Sequence, residues 1–265
     1  MRPHGHAKDT QIYGSCPPSG IPELQEQMSV CVDDVALWTR SNRLQLNTGK
    51  TEVPWCATGR RQHQIPHHPV RIGDDWIFPT DSVQNLWIYL DSDTSMRVHV
   101  SKTISNCFAA LRSIRRCVPR QVLVSQAVSL VLSHLDYGNA TLAGLPGYLF
   151  DRLRSVLNAA ARLVNPVGKF EHVTPLLHDL HWLRVGQRVE FKLAVLMYRC
   201  LNGHGPPYLA NLASDLHRVA DLDTRRRLRS SSSDALTVPL TRLSTVATTL
   251  FLWRQLGCGT VYLPL

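Results

Sequence analysis

The chain is 265 residues long, with 44% hydrophobic and 18% charged residues, which excludes wholesale disorder and leaves room for one large or two modest domains with buried cores. A formal net charge of +9 favours a polyanionic partner. The most apolar stretches, 127–135 and 246–253, fall well short of the roughly 20 residues that a membrane-spanning helix needs.

In chain order, residues 6–13 read as a short strand followed by a turn at 14–18. From 21 to 41, Leu24, Met28, Cys31, Val32, Val35 and Trp38 recur at helical spacing, with Ser19 as the expected cap and Asn42 as the stop. Thr51, Val53 and Trp55 alternate as in a half-buried strand, which Pro54 confines to an edge or a bulge. Val70 and Ile72, then Trp76 and Ile77, flank Gly73-Asp74-Asp75 as in a hairpin, and 83–91 follows as one further strand.

After Asp93 the apolar pattern becomes helical. Met96, Val100, Ile104, Cys107, Leu111 and Ile114 line one face of a long helix. Pro119 opens the next, with Val122, Ala127, Leu130, Val131 and Leu135 inside and a break at 136–139. A third helix covers 149–164 and stops at Asn165-Pro166; a fourth covers 184–201 and ends at Asn202-Gly203. Arg225 to Arg229, followed by Ser230 to Ser233, reads as an exposed basic linker. The fold class expected is α+β, predominantly helical.

The chain carries an odd number of cysteines, scattered and without a Cys-x-x-Cys pair, and no apolar run follows Met1. The expectation is reduced thiols in an intracellular compartment, nucleus or cytoplasm, with no membrane partner. His4, His6, His63, His67 and His68 lie in segments without a supporting cysteine or carboxylate cluster, so no metal site is expected from them.

Two segments flank the first helix: His6-Ala7-Lys8-Asp9 before it, and Leu44-Gln45-Leu46-Asn47-Thr48-Gly49-Lys50-Thr51 after it. Their order resembles the end of the palm in reverse transcriptases of non-LTR (LINE-type) retrotransposons. There the first segment reads aromatic-Ala-Asp-Asp and the second Leu-x-x-Asn-x-x-Lys-Thr. Here His6 stands for the aromatic, Lys8 for the first aspartate, and Asp9 alone is kept. Leu86-Trp87-Ile88-Tyr89-Leu90-Asp91 resembles the Leu-Gly-Val-x-Leu-Asp strand that closes the palm, with Trp87 in place of glycine. A glycine inside a strand commonly marks close backbone approach, so the indole is expected to disturb its neighbours. The likeness continues through 172–183, 198–209 and Arg227-Leu228-Arg229-Ser230, and covers residues 6–245.

The resemblance implies a truncated palm remnant over 1–92, a helical thumb-like region over 93–166, a C-terminal helical region over 167–213, and a basic linker and tail over 214–265. Nucleotidyl transfer in this family needs Mg²⁺ ions held by carboxylates from adjacent strands. The hairpin lies so near the start of the sequence that the upstream catalytic strand and fingers are expected to be missing. Lys8 then sets an ammonium beside the vestigial Asp9, and at about 4 Å and an effective dielectric near 20 each unit of like charge costs roughly 4 kcal/mol. The metal site is expected to be lost, leaving no cofactor. Two other Asp pairs offer no replacement: Asp33-Asp34 is expected on the solvent face of its helix, and Asp74-Asp75 in a turn.

Asn47 and Lys50 match the family motif, which implies that Lys50 lies near nucleotide phosphates and can act as a general acid. The other reading is a turn at Asn47-Thr48-Gly49 with Lys50 a solvated charge. Arg97, Lys102, Arg112, Arg115, Arg116 and Arg120 occur with no acidic residue among them, and Arg112, Arg115 and Arg116 share a helix face. The resemblance implies that they follow a nucleic-acid backbone without reading sequence; otherwise they form a solvated face. The leading expectation is an inactive remnant of an RNA-directed DNA polymerase that binds RNA or DNA weakly and nonspecifically. Its alternatives are a non-enzymatic helical module that meets a protein partner through exposed apolar surface, or an expressed relic without function.

Overall fold

A computed structural model describes residues 2–6, 9–117, 119, 122–168, 171–206, 209, 217–218, 236–237 and 260–264. The described chain is mainly helical with small sheets, in the α+β class expected from its patterning. It divides into two compact units, one of residues 1–106 with 252–265 and the other of 107–251.

The first unit opens with strands β1 (Arg2–His6) and β2 (Asp9–Tyr13), antiparallel with His6 opposite Asp9. The single strand expected over 6–13 is therefore the second arm of a strand pair. Farther on are β3 (Val53–Pro54), β4 (Val70–Ile72), β5 (Asp75–Ile77), β6 (Pro79–Thr80), β7 (Ser82–Asn85) and β8 (Ile88–Asp91). Past β9 (His217–Arg218) and β10 (Leu236–Thr237), which pair with each other, β11 (Thr260–Pro264) lies antiparallel to β2 and completes a sheet of order β1-β2-β11. The prolines of that sheet, Pro3 and Pro264, fall on its two edge strands, where proline is tolerated.

Helix α1 (Ile21–Ser41) crosses this unit. Its buried side chains are Leu24, Met28, Ser29, Val32 and Thr39, of which Leu24, Met28 and Val32 pack with Ile12, Val53, Trp55, Val70 and Ile72 in the core of the unit. The helix starts from a short 3-10 turn at Pro18–Gly20, and no side chain caps it, so Ser19 is not the cap. Trp38, expected inside, is exposed, and Thr39 takes the inward position. Asn42 does end the helix. Arg43 follows with a positive φ of 57° while Leu44 N–H donates to Thr39 C=O at 2.8 Å, a left-handed stop without the usual glycine.

The expected hairpin is present as β4 and β5, turning through Gly73 at φ 61°. The single strand expected over 83–91 is instead the hairpin β7–β8. Asn85 faces Ile88, and Leu86 and Trp87, both at positive φ, form the two-residue turn.

Helix α2 (Arg97–Cys117) buries Val100, Cys107, Leu111 and Ile114, as its period predicts, behind the buried Met96. In the second unit, α3 (Leu123–Ala127) runs through a wide π turn, 128–132, into α4 (Ser133–Asp136). Leu123, Ala127, Val131 and Leu135 are buried at intervals of four. A strict α-helix would rotate that row off the core, and the wide turn holds it in place. Val122 and Leu130, expected inside, are exposed, and Leu132 is buried instead. Helix α5 (Gly147–Val164) buries one continuous stripe, Leu149, Leu153, Val156, Leu157, Ala160, Ala161 and Val164. It packs against α3, against α6 (Val173–Asp179) and against α7 (Val185–Leu201). The last of these ends, as expected, at Asn202 and a left-handed Gly203 (φ 73°). No helix among the described residues is long and apolar enough to cross a membrane.

Candidate functional site

The residues of the two segments that flank α1 lie in separate local elements. Asp9 lies at the start of β2 with His6 as its backbone partner. Asn47 and Lys50 bracket a 3-10 turn, Thr48–Lys50, in which the Asn47 carbonyl accepts hydrogen bonds from the Lys50 N–H (3.1 Å) and the Thr51 hydroxyl (3.1 Å). Both side chains are exposed. The backbone of this segment is a turn, with Lys50 at its last position.

Of the remaining acidic pairs, Asp33 does not simply face solvent. Its carboxylate takes two hydrogen bonds from the Arg71 guanidinium, at 2.7 and 3.4 Å, and ties α1 to β4. Arg71 C=O accepts in turn from the buried Ser29 hydroxyl (2.9 Å). Asp74 and Asp75 lie at the β4–β5 turn, as expected. No group of three or more His, Cys, Asp or Glu side chains that could hold a metal ion occurs among the described residues.

Trp87 needs a different account from the one its sequence position suggests. It is 76% exposed at the tip of β7–β8, so no backbone approaches it closely. A glycine suits that position for its φ of 68° rather than for space.

Below that tip lies a buried polar cluster that the sequence pattern does not announce. Asp91, 6% exposed, accepts hydrogen bonds through Oδ2 from the Ser95 hydroxyl (2.9 Å) and the Val98 N–H (3.2 Å), at the first turn of α2. It thereby caps the helix from six positions upstream, where the positive end of the helix dipole favours an anion. His99, also buried, accepts the Tyr89 N–H through Nδ1 at 3.4 Å. Burial pushes its pKa below the ordinary 6.5, against the opposing pull of Asp91. Lys102 lies 5.8 Å from the centroid of the Tyr89 ring, within reach of a cation–π attraction. Arg97 pairs with Asp93 at 3.5 Å. The basic run is thus partly neutralised at its first turn.

Farther along α2 the arginines are placed differently. Arg112 and Arg115 line an open cleft of about 550 Å³ with Arg162 of α5. The floor is apolar: Phe108, Leu111, Ala159, Leu163, Pro166 and Val167. Leu111 belongs to the buried stripe of α2, and the arginines one and four positions on emerge at its border with solvent. Arg162 Nη2 donates to the Glu171 carbonyl at 3.3 Å, and its Nε is buried without an acceptor. No carboxylate lines the cleft, and no ion pair involves Arg112, Arg115, Arg116 or Arg162 among the described residues. Arg116 is exposed on the same helix; Arg120 and the 225–233 linker lie outside the described residues. Arg162 was missed by sequence reasoning because 47 or more positions separate it from Arg112 and Arg115. The available signal was a cation just inside the C-terminal end of an amphipathic helix.

Cys107 is buried on the same helix, its thiol pushed up to about 11 by burial, so it behaves as a small apolar core residue rather than a nucleophile. Comparison with protein-family models, with curated proteins and with solved structures returns no match for this chain.

Proposed function

We propose that this chain is a remnant of a LINE-type reverse transcriptase that has lost polymerase chemistry and retains weak, sequence-nonspecific binding of RNA or DNA. The observation that carries the binding is the gathering of Arg112, Arg115 and Arg162 around one cleft with no carboxylate in its lining among the described residues. Guanidinium groups offer planar forks of donors that match phosphate oxygens. The ancestry is supported by order along the chain: an antiparallel strand pair with Asp9 opening its second strand, a 21-residue helix, the Asn47–Lys50 turn, and the strand ending at Asp91.

The residues present do not fit the magnesium pair of that family. Asp9 is the one carboxylate of the His6-Ala7-Lys8-Asp9 segment, and Lys8 brings a positive charge where a second carboxylate is required. The segments 1–92 and 93–166 are accordingly read as palm remnant and thumb.

A gel-shift titration across salt tests this function. If about five phosphates are neutralised, log K falls against log salt with a slope near −4. Affinity indifferent to ionic strength would remove phosphate contact from the account. A primer-extension assay with Mg²⁺ or Mn²⁺ should yield no product from the purified chain, and synthesis would overturn the reading of lost chemistry.

A second reading, a helical protein-interaction module, rests on α7. Phe191 and Tyr198 are 62% and 69% exposed there and line an open face with Ala194 and Val195.

A further inference from the structure

We propose that the α2–α5 cleft is a subsite for an unpaired nucleotide, so that the chain prefers single-stranded RNA or DNA to duplex. This rests on the binding function proposed above and specifies its substrate.

Charge and shape point the same way. Arg112 and Arg115 are three residues apart on a helix, which sets their side-chain origins roughly 5–6 Å apart. Arg162 meets them from the other wall of the cleft. Three guanidiniums around one concavity suit a phosphate, whose several oxygens accept from more than one fork. A flat arginine face would bind phosphates on any nucleic acid equally well. This site is different, because the arginines border a recess floored by Phe108, Leu163, Pro166 and their apolar neighbours.

A duplex presents phosphates on a convex surface and keeps its bases stacked inside, so the recess would stay unfilled against it. An unpaired nucleotide can place its phosphate on the arginines and its base on the apolar floor. Arginine planes and aromatic rings stack on every base, which makes such a site tolerant of sequence. The volume of about 550 Å³ is adequate, since small-molecule sites run from roughly 300 to 1,000 Å³. An acidic peptide would satisfy the arginines but has no planar group to cover the floor.

The test uses the full chain and fluorescence anisotropy at fixed salt. The probes are a labelled oligouridylate, an oligothymidylate, a blunt duplex of equal length and an oligoglutamate peptide. Both single strands should bind about tenfold or more tighter than duplex, since a factor of ten corresponds to about 1.4 kcal/mol, within the range for stacking one base. Arg112→Gln with Arg162→Gln should weaken single-strand binding by at least about tenfold, as expected for loss of charge-assisted phosphate contacts. Phe108→Leu should lower the ratio of single-strand to duplex affinity toward one. Arg112→Gln with Arg115→Gln serves as the charge-removal variant should Arg162→Gln disturb folding, which circular dichroism reports.

Equal binding of single strand and duplex, with the expected salt slope, would overturn the subsite and leave the binding function standing. Binding of neither overturns both. Oligoglutamate binding as tightly as oligouridylate would reassign the cleft to an acidic protein segment and overturn the proposal.

Discussion

The two units differ in the setting of particular charges. In the first, Arg71 is taken by Asp33, Arg97 by Asp93, and Asp91 by the first turn of α2. In the second, Arg188 is held by Asp136 at 2.6 Å, whereas Arg112, Arg115 and Arg162 surround a cleft with no anion among the described residues. A charge that has a local partner stabilises the fold and is of little use to a ligand. A charge held at the rim of an apolar recess does the reverse. Under the binding function proposed above, the contrast assigns binding to the second unit, although the motif that suggests ancestry lies in the first.

The largest effect should come from the second unit's core. Leu157 is fully buried on α5, and Leu157→Ala should cost about 2–5 kcal/mol in urea unfolding. A loss well under 1 kcal/mol would mean that α5 does not organise this unit. Next is Asp91→Ala, which leaves the Val98 N–H and the Ser95 hydroxyl without their acceptor and should cost about 1–3 kcal/mol.

Acid should act on the first unit through His99. Burial holds its folded pKa below 6.5, so the unfolded chain takes up a proton that the folded chain resists. Its contribution is therefore intact above pH 6.5 and is lost as pH falls below that value. His99→Asn, whose amide oxygen can accept the Tyr89 N–H, should flatten the pH dependence of unfolding in that window; an unchanged slope would assign the effect elsewhere.

A smaller gain should follow Trp87→Gly, since a left-handed backbone costs a residue with a β-carbon about 1–2 kcal/mol, partly offset by glycine's greater unfolded entropy. Differential scanning calorimetry would register a raised Tm, and a lowered one would show that the indole is held by contacts. Least of all, Arg112→Ala with Arg115→Ala should change stability by no more than about 0.5 kcal/mol, as is usual at exposed positions. A loss as large as that of Asp91→Ala would dissolve the contrast between the units.

Helices were the most legible elements. The apolar periods of α1, α5 and α7 place their boundaries within a residue or two, because each buries one continuous stripe. Legibility failed where backbone conformation carries the information. Leu86 and Trp87 turn a hairpin at positive φ without a glycine or asparagine, so residues 83–91 looked like one strand. The π turn at 128–132 exchanged Leu130 for Leu132 inside the core, which a fixed 100° rotation cannot anticipate. The cleft was half legible: Arg112 and Arg115 were visible as neighbours on one helix, while Arg162 joined them only through the packing of α5.

One detail of the first unit bears on how molecules of this protein meet each other. The outer strands of the β1-β2-β11 sheet each contain an imino acid, Pro3 and Pro264. Proline in an outer strand is one of the devices that disfavour addition of a further strand from a neighbouring copy.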